Sequence, residues 1–170
     1  MKDATPQEHK AHAPASVGCF VLTISDSKTP DTDTSGALIR ELLIASGHRV
    51  AGHAIVRDEP EQVTAVIRSG CAAPSVEVFI LTGGTGITKR DSTFEAVEAM
   101  LDKRLTGFGE LFRMLSYQDI GPAAMLSRAQ GGVVQGRVLF SLPGSPNACR
   151  LALESLIIPE LGHLIREVNR

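Results

Sequence analysis

The chain has 170 residues, 43% hydrophobic and 21% charged, with a formal net charge of -2. That composition suits one soluble globular domain with a real core. It argues against the broad basic field that nonspecific nucleic-acid binding requires, and no apolar run is long enough for a membrane span.

Residues 1–15 read as a disordered polar tail, and residues 16–170 as a single domain. The tail has no apolar signal core, which points to a cytoplasmic protein. His9 and His12 lie in it without a partner cluster. Gly18 to Ser25 is a nearly continuous apolar run, the pattern of a strand buried on both faces. A polar loop from Asp26 to Thr34 follows. A helix is predicted from Ser35, with Leu38, Ile39, Leu42 and Leu43 as its apolar stripe and Gly47 as its stop.

Val50 to Val56 reads as the second strand. Asp58 and Glu61 have the spacing of a capping box before a helix lined by Val63, Val66, Ile67 and Cys71. Val76 to Leu81 is the third strand, and it runs straight into a glycine-rich loop, Thr82 to Asp91. Ser92 and Glu95 repeat the capping-box spacing ahead of Phe94, Val97, Met100 and Leu101. A helix is expected around Glu110 to Leu115, then an irregular stretch near Gly121 and Pro122. Gly132 to Val134 and Arg137 to Leu142 read as two strands joined at Gln135-Gly136. Ala148 to Val168 is helical, with Pro159 as a break. This order predicts an α/β fold, a three-layer α/β/α sandwich with a mostly parallel central sheet. Cys19, Cys71 and Cys149 are far apart and odd in number, which argues against a disulfide framework or a zinc site.

The chemistry concentrates in loops. Gly83, Gly84, Thr85 and Gly86 let backbone N–H groups approach a ligand, and Lys89 and Arg90 add positive charge before a helix N-terminus. Together they predict an anion cradle. The spacing is neither a Walker A loop nor a dinucleotide fingerprint. Ser141, Pro143, Gly144 and Ser145 form a second strand-to-helix turn, and Ser145 can cap the helix behind it. Ser25 and Asp26 end the first strand. A parallel sheet brings all three loops to one edge. Asp91 beside phosphate-binding loops repels an anionic ligand unless a cation bridges them, which points to Mg²⁺. Asp58 fits a helix cap, Asp33 a turn, and Glu110 either a ligand contact or a first-turn helix residue. No Ser/His/Asp order with a nucleophile elbow is present.

Ile24-Ser-Asp26, Asp33-Thr-Ser-Gly36, Thr82-Gly-Gly-Thr-Gly86 with Arg90-Asp91, Gly107-Phe-Gly-Glu110, Ser127-Arg128 and Leu142-Pro-Gly-Ser-Pro146 occur in this order. Together they resemble the molybdenum-cofactor biosynthesis proteins of the MoaB and MogA type, whose domain also occurs in gephyrin. The resemblance covers Val17 to Val168. It implies the molybdopterin-binding α/β/α fold, a trimer or hexamer, and Mg²⁺-ATP-dependent adenylylation of molybdopterin. Asp58 and Asp91 match the family's acidic catalytic and metal-holding positions. Gly83 to Gly86 and Pro143 to Ser145 match its pterin- and phosphate-binding segments. Other cofactor-biosynthesis proteins are implied partners. The alternative is a pterin-binding or assembly module with weak chemistry.

Overall fold

A computed structural model describes residues 13–89 and 91–170. Arg90 and the paired tail histidines lie outside the described residues. The chain alternates strands and helices through β1 (Gly18–Ile24), α1 (Thr34–Ala45), β2 (Arg49–Val56), α2 (Pro60–Cys71), β3 (Val78–Gly83) and α3 (Thr93–Met100). It continues with β4 (Lys103–Arg104), α4 (Thr106–Ile120), a 3₁₀ turn (Gly121–Leu126), β5 (Gln130–Val134) and β6 (Arg137–Leu142). A helical run closes it: α5 (Pro146–Ala152), a π-helical turn (Leu153–Ile157) and α6 (Ile158–Val168).

The six strands form one sheet in the order β2-β1-β3-β6-β5-β4. The first four run parallel, while β5 and β4 each lie antiparallel to their neighbour. Alternate residues of the central strands enter two separate cores. Cys19, Val21, Val78, Ile80, Val138 and Phe140 face α1, α4, α5 and α6. Leu22, Ile24, Phe79, Leu81 and Leu139 face α2 and α3. Burial on both faces is why the strands read as apolar runs rather than as alternating ones. The expected three-layer architecture is the one observed.

Several local expectations need correction. The N-cap of α2 is Glu59, without a side-chain cap bond, and Pro60 opens the helix. Asp58 therefore stands one residue too early to cap. Ser92 is the N-cap of α3, but its side chain makes no cap bond. Glu95 turns away to Arg128, so that capping box does not close either. Helix α4 extends past the expected Glu110 to Leu115 at both ends, and an exposed row of large apolar residues breaks its amphipathic signal. Strand β4, two residues long, carried no readable signal. Pro159 does mark a change in the last helical run. There the chain widens into a π turn instead of breaking, which relieves the clash of the proline ring with the preceding turn. Gly47, at φ +82°, ends α1 as expected.

Candidate anion-binding site

The parallel strands end on one edge of the sheet. Ile24 pairs with both Val56 and Gly83, and Thr82 pairs with Leu142, so the loops after β2, β1, β3 and β6 stand side by side. The chain leaves β1 for β2 on one side, and β3 lies on the other. The crevice between β1 and β3 is therefore the switch point at which open α/β sheets take ligands.

Gly83 and Gly84 carry φ of +95° and +65°. A Cβ on Gly83 would strike the Ile24 carbonyl oxygen. One on Gly84 would stand 3.0 Å from the side chains of Ile24 and Thr93 and 3.4 Å from Asp58 Oδ1. Side chains are thus excluded where the backbone bends. Among the described residues, no acceptor takes the backbone N–H groups of Gly84, Thr85, Gly86 or Ile87. Further along, the Thr88 N–H donates to Asp91 Oδ2 at 2.7 Å, which folds the end of the loop back on itself. Lys89 is exposed beside it.

Asp58 sits next to this loop. Its N–H donates to Asp26 Oδ1 at 3.3 Å, joining the loops after β1 and β2. Its Oδ1 is buried and has no hydrogen-bond partner among the described residues. Thr93, 1% exposed, likewise has a buried Oγ1 without a partner. Orphaned buried oxygens cost free energy, on the order of 1–3 kcal/mol each, unless a water or a ligand meets them. Ser25 Oγ accepts from the Ser27 and Lys28 N–H groups at 3.3 Å each, shaping the first loop.

The loop after β6 is held from beneath. Thr82 Oγ1 and Cys149 Sγ donate to the Pro143 carbonyl at 3.2 and 3.5 Å, and Ser35 Oγ donates to the Gly144 carbonyl at 2.8 Å. Burial pushes the Cys149 thiol up and keeps it a neutral donor. Ser145 caps α5 as expected, its Oγ accepting the Ala148 N–H at 3.3 Å. Gly144 lies against the glycine loop, since a Cβ there would come within 3.6 Å of Gly83 Cα. Ser141, by contrast, is 2% exposed inside β6, set back from the edge. Glu110 is exposed on α4 and lines a neighbouring cleft of about 380 Å³ together with Phe94, Arg104, Arg113 and Arg128.

Arg128 closes the far side of the glycine loop. Its Nε donates to the Thr85 carbonyl at 3.1 Å, and its two Nη groups reach the Gly86 carbonyl and Glu95. Its guanidinium lies 4.4 Å from the Phe94 ring centroid. The Glu95 backbone amide, and then Arg128, lower the pKa of the Glu95 carboxyl. Residue by residue, the sequence named the loops but passed over Ser35, Thr82, Thr93 and Arg128 as site residues. Ser127-Arg128 stood out only within the family motif.

The fold and edge loops define an α/β/α domain with glycine-rich loops along one edge of its sheet. A family model described as a probable molybdopterin binding domain matches residues 20–163. The chain belongs to that family. A molybdenum cofactor biosynthesis protein B of Bacillus cereus is 53% identical over 164 residues, 96% of this chain and 97% of the relative. A crystal structure of a molybdenum cofactor biosynthesis protein B is 52% identical, with TM-score 0.90 over 94% of this chain and 99% of the other. The tungsten cofactor synthesizing protein MoaB from Pyrococcus furiosus is 39% identical, with TM-score 0.81 over 93% of this chain and all of the other.

Proposed function

We propose that the chain acts in molybdenum cofactor biosynthesis in the cytoplasm and adenylylates molybdopterin with ATP. The observation that supports this reading is the run of N–H groups from Gly84 to Ile87 without acceptors among the described residues, beside the buried Oδ1 of Asp58, which has no partner among them either. Donors in a row suit phosphate oxygens, and a carboxylate in the same place suits a cation that those oxygens share.

The residues fit Mg²⁺. No group of three or more His, Cys, Asp or Glu side chains that could hold a metal occurs among the described residues. Mg²⁺ sites commonly use one or two carboxylates and complete the shell with phosphate and water. Asp58 and Asp91 would be those carboxylates. The ion would supply neutralisation of the triphosphate charge. The chain itself positions the two substrates. A terminal phosphate oxygen of molybdopterin attacks the α-phosphorus of ATP, a new P–O bond forms, the bond to the β-phosphate bridge breaks, and pyrophosphate leaves. The nucleophile belongs to the substrate, so orientation and charge stabilisation are the work left for Gly83 to Gly86, Lys89, Arg90 and Pro143 to Ser145.

One observation favours the binding-module reading. Asp91 Oδ2 is engaged with the Thr88 N–H, the role of a loop staple. Incubation with molybdopterin, Mg²⁺ and ATP separates the two. Release of pyrophosphate with an adenylylated pterin supports the enzyme, whereas pterin binding without pyrophosphate supports the module.

The same reading includes a trimer, or two trimers in a hexamer. Leu111, Met114, Tyr117 and Ile120 expose one apolar side of α4, and Met125 and Leu126 continue it. Such a contiguous patch suits contact between copies. Ile157, in the π turn, does not join that surface; it is 1% exposed in the core.

A further inference from the structure

The geometry points to Arg128 as a positioning residue that sets the direction of the glycine loop's N–H groups. This rests on the anion-cradle reading of that loop. Within one peptide unit the C=O of one residue and the N–H of the next point in opposite directions. Arg128 takes the carbonyls of Thr85 and Gly86 from one side. The N–H groups of Gly86 and Ile87 are thereby turned away from Arg128, and they have no other partner among the described residues.

The arginine is itself fixed. Its plane lies over Phe94, and Glu95 holds the remaining Nη group. Behind it, Arg113 Nη1 donates to the Ser127 and Ala129 carbonyls at 3.5 and 3.3 Å, holding the backbone that carries Arg128. Two carbonyls taken by adjacent donors of one rigid plane is a task for guanidinium, which a lysine ammonium does not reproduce. The reaction needs no contact between Arg128 and a phosphate. Its effect reaches the ligand through the loop.

The test is calorimetric titration of the folded protein with pyrophosphate and Mg²⁺. Arg128→Lys and Arg128→Ala should each weaken pyrophosphate binding at least about tenfold, the scale of losing charge-assisted hydrogen bonds, while the melting midpoint stays near that of the parent protein. Guanidinium ion, but not ammonium, should restore binding to Arg128→Ala. Unchanged affinity in both variants would overturn the assignment. So would a loss that guanidinium cannot restore and that accompanies a fall in melting midpoint, because Arg128 would then be serving stability alone. The enzymatic reading fails separately, if the parent protein binds pyrophosphate yet never adenylylates molybdopterin. A parent protein that does not bind pyrophosphate at all overturns the assignment together with the cradle.

Discussion

Thr23 Oγ1 donates to Asp33 Oδ2 at 2.7 Å, which ties the end of β1 to the cap of α1 across a ten-residue interval. The other oxygen of the carboxylate accepts the Gly36 N–H at 2.9 Å, and Asp33 is only 2% exposed. Asp33→Ala should therefore lose a helix cap and leave the Thr23 hydroxyl buried without a partner, at a cost of about 2–4 kcal/mol. Urea unfolding measures this. A variant as stable as the parent would show that the tie contributes nothing.

Asp58 and Asp91 should respond differently to the same change. Asp58→Asn removes charge from a buried oxygen with no partner, so the ligand-free protein should keep its stability or gain up to about 1 kcal/mol. Mg²⁺-dependent ATP binding should fall. Asp91→Asn can still accept the Thr88 N–H, so fold and pterin binding should survive while the adenylylation rate drops about a hundredfold or more, as for a lost electrostatic interaction in a transition state. Melting midpoint, ATP affinity and single-turnover rate on both variants decide it. A normal rate in Asp91→Asn would leave that residue as a loop staple.

Gly144 is the better glycine at which to obstruct the site. A side chain on Gly84 would press on Ile24 and Thr93 at a positive φ and damage the fold along with binding. A methyl group on Gly144 meets nothing nearer than Gly83 Cα at 3.6 Å. Gly144→Ala should thus melt within a few degrees of the parent yet bind molybdopterin about tenfold more weakly, by crowding the gap between the two loops. Equal affinity would place the ligand away from this gap.

The three thiols should differ in reactivity. Burial pushes Cys19 up from 9.0 to about 12 and also raises Cys149 and, less buried, Cys71. The thiolate is the reactive form, so iodoacetamide at neutral pH should modify Cys71 first and the other two only on unfolding. Because the folded-state pKa of Cys19 lies above that of the unfolded chain, its contribution to stability is complete below about pH 9. It is lost as pH rises from there toward 12. Mass spectrometry of labelled peptides across that range reads both effects. Early labelling of Cys19 would contradict the buried position of β1.

The sheet, its parallel direction and the loops on its edge were legible because each strand is an apolar run that stops at glycine, serine or aspartate. The caps at Asp58 and Ser92 were misread because capping-box spacing is local, whereas Asp26 and Arg128 engage these segments from far along the chain. Arg128 lies 43 residues from Thr85, and no periodicity connects them. Ser35 and Thr82 stood within the quoted motifs but gained no role there for the same reason, since their hydroxyls serve the distant Gly144 and Pro143 carbonyls. Asp33 looked like a turn residue, although the spacing to Gly36 already allowed a cap.

The strand order has a consequence for how the protein comes into being. β6 closes the open side of β3 and carries the second loop of the site, so Val78 must find Val138 before both walls exist. An unfinished chain emerging from the ribosome presents the glycine loop beside the loops after β1 and β2 but without the loop after β6. Such distant pairing is slow relative to local helix formation. On the proposed reading of the site, maturation of the sheet and competence to capture ligand are a single event, and a ligand held between the two loops would protect that pairing against opening.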